Sequence, residues 1–560
     1  MFKATLSHLA GEKRVWALLL VLCLPGNPAI NAQTGTTITD ADAIRLLEQS
    51  TFGPTESTIT EVKSLGADAW IESQFSAPIS WLPYYAPAPA NSTLLCSTGT
   101  AEEQRICYRD NYTMYPLQLQ FFKRAMNGKD QLRQRTAFAL SQIFVVSGKQ
   151  IIQPSSVAPY LDMLTESSFG NFRQLLQKVT LSPAMGRYLD MVNNDPPNPA
   201  SGTAPNENYA REVLQLFSLG TVMLNQDGTP MRDINGRTIP SYSQAAIEGF
   251  AHVFTGWTFA TQTGKTALVH NPEYYVKPMW LYRDPGGYDA NHFKGEKILL
   301  SYPNAPWAIA PGYADGETDL KRALDNIFFH PNVGPFLGKQ LIQHLVTSNP
   351  SPAYVSRVAG IFNNNGVGIR GDMRAVIKAI LLDPEARGAS KTAASYGKLR
   401  EPVQYVLNLL RAFNSTTDYL HAEQVKAMGQ DLYYSPSVFN YFPPDYQIPN
   451  TSTLGPEFAI QSSSTAMYRL NFIHTVITGL QTNYAPANFQ IDLAKYQAMA
   501  NDPPALVEAL NRLLLHNSMS ANMKTDVLKA VNAVETTNPK LRAQTAIYLV
   551  ATSSQYQVQR

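Results

Sequence analysis

Two groups of residues in this 560-residue chain have types and spacing suited to chemistry. The first is Asn206-Glu207-Asn208-Tyr209-Ala210-Arg211-Glu212. Asn206 is suited to N-cap a helix. Glu207 would then gain from the helix dipole and from Arg211 four residues on, and Asn208 and Glu212 share that spacing. One short helix thus offers two carboxylates, two amides and a guanidinium. Such a set can hold a general acid, bind a divalent cation, or grip a substrate through Asn206 and Asn208; it can equally be a capping and ion-pair network that only fixes the helix. The second group is His292 and Lys297 in a long loop, where His292 can act as base, metal ligand or substrate contact, or be an ordinary loop histidine. Before it comes Thr255-Gly256-Trp257, in which Gly256 permits a tight exit. Trp257 supplies a sugar-stacking wall or a core side chain. The catalytic candidates are therefore Glu207, Arg211, Glu212, His292 and Lys297, with Asn206, Asn208 and Trp257 as binding candidates.

Other chemistries lose their usual support. His-Glu-x-x-His is missing; His252 reads as a hydrogen-bonded core histidine rather than a ligand, His330 before Pro331 as a helix-start residue, and His421, His474 and His516 show no ligand spacing. Asp227, Asp233 and Asn235 lack the twelve-residue calcium loop and its final Glu, so they read as turns. No phosphate loop, nucleophile elbow or haem-attachment motif occurs. A net charge of +2 gives no reason to expect nucleic acid.

Residues 1–32 read as an export signal: Lys13 and Arg14 precede an apolar run from Val15 to Leu24, broken by Pro25-Gly26, with cleavage after Ala32. That run is about half the ~20 residues of a membrane span, and no other run is long enough. The expectation is release into the periplasm or beyond. The two cysteines left, Cys96 and Cys107, stand in a polar loop and suit a disulfide there. A two-cysteine metal site is the weaker alternative, because no third Cys or nearby His completes it.

The elements that must position these residues are helical. Helical apolar spacing recurs in 40–52, 56–76, 132–147, 244–257, 320–328, 333–346, 354–362, 373–382, 505–514 and 541–552. Asp227-Gly228 and Asn235-Gly236 mark a small β-hairpin insertion, and 258–315 is a long aromatic loop without clear period. The expected fold is mainly α, an irregular multi-helix single domain over 33–560, with 500–560 as a helical C-terminal portion that could fold separately.

The stretch 43–54, Ala-Ile-Arg-Leu-Leu-Glu-Gln-Ser-Thr-Phe-Gly-Pro, resembles the opening of a bacterial family catalogued as domain of unknown function 1800. The 206–212 string, Thr255-Gly256-Trp257 and residues 132–147, 169–176, 383–387, 399–403, 437–446 and 455–458 also resemble its blocks. His292 to Lys297 is similar to the family's His-Asp-x-x-x-Lys pattern, with Phe293 where Asp is usual, so a His–Asp base and orienter would lack its orienter. The resemblance implies an exported protein with no assigned reaction or cofactor. It also implies an exported partner resembling the sulfatase and alkaline-phosphatase fold, and a polysaccharide context. The expected function is to act on, or help process, extracellular polymer through a cleft lined by the Glu207–Glu212 helix, Trp257 and the His292–Lys297 loop. The alternative is a non-enzymatic surface scaffold. Convergence of Glu207, His292 and Lys297 in an open pocket favours the first; separation or buried pairing favours the second.

Overall fold

An N-cap followed by an apolar stripe starts many of the helices. Thr39 accepts the Asp42 amide ahead of Asp40–Ser50, Thr55 forms a reciprocal capping box ahead of Glu56–Leu65, and Asp315, Ser351 and Asp372 cap Gly316–Phe329, Pro352–Asn363 and Met373–Leu382. The computed structural model describes residues 38–312, 315–393, 395–479 and 491–560. The export signal read in residues 1–32 lies outside the described residues.

Within the described residues the chain is mainly α-helical. Strands are confined to three two-stranded antiparallel sheets: Trp257–Thr258 with Trp280–Leu281, Lys297–Ile298 with Ile309–Ala310, and Lys398–Leu399 with Val558–Gln559. The hairpin insertion is a small meander held by isolated bridges, Val222 to Pro240, Leu224 to Pro230 and Arg232 to Thr238. Gly228 and Gly236 turn it at φ 77°, where only glycine is unstrained. The carboxylates of Asp227 and Asp233 accept amides of their own turns, from Thr229 and from Asn235 and Arg237.

Two expectations change. The helix expected over 56–76 is two, Glu56–Leu65 and Ala67–Phe75, because Gly66 stands at φ 79°, ψ 163° and breaks the helical path. Cys107 lies in the helix Ala101–Tyr112, not in a loop: Thr100 and Glu103 form a capping box that starts it. Its disulfide with Cys96 is formed. Residues 500–560 join the common core, since their last strand pairs with Lys398–Leu399 and the buried Tyr556 donates to Asn408 Oδ1 at 3.0 Å.

At the centre lies Pro402–Ala412, buried along its whole length, with Gln131–Ile143 buried on nearly every face. A helix enclosed on all sides carries its polar groups inward, and those groups need partners there. Arg135 and Arg411 are such groups, and Arg400 and Glu401, just ahead of Pro402, are buried as well.

Candidate functional site

The helix carrying the charged motif, Asn208–Gln215, starts one residue later than a cap at Asn206 predicts. Asn206 Oδ1 accepts the Asn208 amide at 2.8 Å, while the Asn206 backbone is gripped by Asn194, whose Oδ1 accepts its N–H at 2.8 Å and whose Nδ2 donates to its carbonyl at 3.3 Å. The same loop holds the Gly256-Trp257 exit: Gly256 N donates to Asn194 O at 2.8 Å and Asn193 N to Trp257 O at 2.7 Å. Loop 190–195 thus ties the start of one motif to the other. Glu207 and Arg211 pair at 3.0 Å, partly exposed, and Gln244 Nε2 also donates to Glu207. The expected Asn208–Glu212 pair does not form. Asn208 turns instead to Asp190 at 3.5 Å, and Glu212 is buried with Oε2 unpartnered. Burial lifts the Glu212 carboxyl above its usual range, opposed only by Arg211, which is the environment a general acid needs.

His292 and Lys297 are enclosed, with side chains fully shielded from solvent. The carboxylate missing at position 293 arrives from another element: Asp319, on Gly316–Phe329, lies 2.6 Å from Lys297 Nζ and 3.2 Å from His292 Nε2. His292 Nδ1 faces the Thr255 carbonyl at 2.9 Å. Both ring nitrogens therefore face oxygen atoms of the protein, and neither is open to a metal or a substrate. Phe293, where a carboxylate was expected, stacks on His252 with ring centroids 4.0 Å apart. The His292–Asp319–Lys297 set is a buried ion-pair network that fastens the long loop to a helix, and Glu207 lies outside it. Trp257 is only 3% exposed and packs in the core, so it cannot offer a face to a sugar. Among the described residues no group of three or more His, Cys, Asp or Glu side chains is arranged to hold a metal ion.

The other end of the motif helix opens on a cavity of about 460 Å³, and none of the sequence-derived candidates lines it. Gln215, Leu216, Leu219 and Gly220 form one wall, and the first arm of the meander continues it. Asn332, fully buried, fixes that arm: its Oδ1 accepts Leu224 N at 2.9 Å and its Nδ2 donates to Val222 O at 2.7 Å. The facing wall is one stripe of the helix Val333–Leu345, made of Phe336, Lys339, Gln340, Gln343 and His344. These positions follow the i, i+3, i+4, i+7, i+8 rule, so the helix turns its apolar side to the core and its polar side to the cavity. Residues 438–445 close the third side, and Gln142 and Glu457 complete the lining.

Several polar atoms of this wall have no protein partner. Gln142 Nε2, Gln340 Nε2 and Gln343 Oε1 are all buried and unpaired, on residues 7%, 8% and 3% exposed. The other ends of Gln142 and Gln343 are fixed. Gln142 Oε1 accepts from Asn440 Nδ2 at 3.0 Å, and Gln343 Nε2 donates to Ser348 O at 3.0 Å and Pro444 O at 2.8 Å. Glu457 is satisfied: Lys398 stands 2.9 Å from its Oε1 and Ser348 donates to its Oε2 at 2.9 Å. Lys398 and Arg135 both donate to the His344 carbonyl, at 2.9 and 2.5 Å, completing the C-terminal end of the helix with positive charge. Burial, then the charges of Lys398 and Arg135, push the His344 imidazole well below its usual range, so it is neutral at physiological pH. The cavity therefore combines aromatic walls, amide donors and acceptors, a neutral imidazole and one lysine.

Sequence reasoning missed this site although two of its signals were legible. The polar stripe on Val333–Leu345 stands on a helix that is otherwise apolar. Residues 132–147, 437–446 and 455–458, which resemble family blocks, converge there with the C-terminal end of the motif helix. No curated protein matches the chain, and no solved structure does. The family model described as "Protein of unknown function (DUF1800)" matches residues 45–558, nearly the whole chain, and the protein belongs to that family.

Proposed function

We propose that this is an exported protein that binds, and helps to process, extracellular polymer, polysaccharide in the first place, and that the cavity between Val333–Leu345 and residues 438–445 holds a segment of it. The observation that carries the reading is the cavity wall. Phe336, Phe439 and Phe442 give flat apolar surface beside unpaired amide groups of both polarities on Gln142, Gln340 and Gln343. A ligand that is apolar on one face and edged with hydroxyls matches such a wall, because each buried unpaired amide costs about 1–3 kcal/mol until a ligand group meets it. The volume of about 460 Å³ suits a few sugar rings rather than a folded domain.

A second reading, a non-enzymatic surface scaffold working with a sulfatase-like exported partner, draws support from the His292–Asp319–Lys297 network, whose side chains are buried and paired as fold-fixing groups are. Calorimetric titration of residues 33–560 with neutral and acidic oligosaccharides tests the first reading. Binding that Gln340→Leu weakens about tenfold is the expected result. No binding of any oligosaccharide at millimolar concentration would leave the scaffold reading.

A further inference from the structure

We infer that the sugar held in this cavity is an acidic one, its negative charge meeting the Lys339 ammonium. This rests on the polysaccharide reading above and adds the class of sugar. Lys339 lies on the polar stripe of Val333–Leu345, is partly exposed, and lines the cavity beside Gln340 and Gln343. Among the described residues it makes no ion pair and no hydrogen bond, although ion pairs are common elsewhere on this chain.

The charge balance around it favours an anion. Two acids line the cavity, Glu457 and Asp445. Glu457 is committed to Lys398 and Ser348. Asp445 is exposed at the rim and lies more than 4 Å from the lysine, yet it is the one acid whose charge Lys339 feels. Behind the wall, Arg135, Lys398 and Arg469 face Glu401 and Glu457, three cations against two carboxylates. Arg469 is fully buried with no partner for any guanidinium nitrogen; it rests against the Tyr405 ring at 5.0 Å and feels Glu457. The excess positive charge raises the potential in a part-enclosed, low-dielectric space, where a bound anion gains most. Burial pushes the Lys339 ammonium below its usual range, and a carboxylate or sulfate ester on the ligand would restore it. Gln340 and Gln343, one and four residues along the helix, would reach hydroxyls of the same ring or its neighbour.

The test compares matched oligosaccharides of equal length, one neutral, one carrying uronic acids and one carrying sulfate esters, by calorimetric titration of residues 33–560 at low salt. The expected result is about tenfold tighter binding of an acidic oligomer than of the neutral one, a ratio that falls to about one in Lys339→Gln and that shrinks as salt rises. The uronate and sulfate arms identify which anion is preferred. Asp445→Asn, which removes the rim acid from the protein surface, is a second variant and is expected to tighten acidic binding two- to threefold. Equal binding of neutral and acidic oligomers by the wild-type protein, or a preference that survives Lys339→Gln, overturns this inference and leaves the polysaccharide reading standing. Failure of all three oligomers to bind overturns the polysaccharide reading itself.

Discussion

Asp319 meets both Lys297 and His292, and its removal tests whether that network holds the fold. Asp319→Asn leaves Lys297 charged and without its counter-charge in a site shielded from solvent, a change that costs about 3–5 kcal/mol. Urea denaturation should show a loss of that size; a loss under 1 kcal/mol would mean the site is wetter or looser than its geometry implies. Glu48 tests a different buried group. Burial opposes its charge, but Arg400 at 2.6 Å and His516 at 2.8 Å overcome that and hold its carboxyl at about 2, below the ordinary 4.5. A carboxyl depressed on folding contributes stability that is present above the unfolded value and lost as pH falls through the folded one, here between about 4.5 and about 2. The difference corresponds to ~3 kcal/mol. Glu48→Gln should be less stable than wild type near neutrality, and its stability should change less across that acid window. Parallel pH profiles for the two proteins would show that Glu48 is not the titrating group.

Between elements, one close approach is made through a glycine. The helix Gln244–Val253 lies on the strand Lys297–Ile298, and a Cβ at Gly249 would overlap the Ile298 backbone carbonyl. Alanine has the better helix propensity by about 1 kcal/mol, so an isolated helix would gain from Gly249→Ala. In this protein the substitution must push helix from strand, and we expect a net loss of ~2 kcal/mol or more by thermal or urea denaturation. A neutral or stabilising result would show that the two elements are not packed this closely. The disulfide is a local device by comparison. It spans 11 residues, for which loop closure contributes ~3 kcal/mol, and the helix Ala101–Tyr112 that it anchors buries only Tyr112. Reduction should speed amide hydrogen exchange in Ala101–Tyr112 and leave Gln131–Ile143 protected; equal loss in both would make the disulfide a global constraint.

At the scale of the whole molecule, the ends of the described chain meet its middle. Arg512 reaches Asp40 at 2.6 Å and Glu56 at 2.9 Å, and the strand Val558–Gln559 completes the sheet begun by Lys398–Leu399. One apolar cluster runs from Ala43 to Tyr556. A chain ended at residue 499 should therefore fail to fold as residues 33–560 do, and the longer protein should unfold in one transition by circular dichroism and fluorescence together. A protease-resistant fragment of 500–560 folding alone would contradict this.

Local signals determined much of this protein. Caps such as Asp315 and Asp372, the helical spacing of residues 333–346 and the turn glycines act within a few residues of where they stand, so helix positions and the mainly α class were legible. So was the Glu207–Arg211 pair, since both partners share one helix face. The sequence could not say which carboxylate meets His292, because Asp319 is 27 residues away and is placed by the packing of Gly316–Phe329. Nor could it place the cavity, whose Gln142, Gln215, Gln343, Asn440 and Glu457 come from separate elements. Burial decided the rest. Trp257 and Lys297 carry side chains that suit a binding site, and only the tertiary structure shows them enclosed, while Lys339, an ordinary helix lysine in the sequence, stands unpaired at a cavity wall. Residue type sets what a side chain can do, but exposure and partners are properties of the whole packed chain.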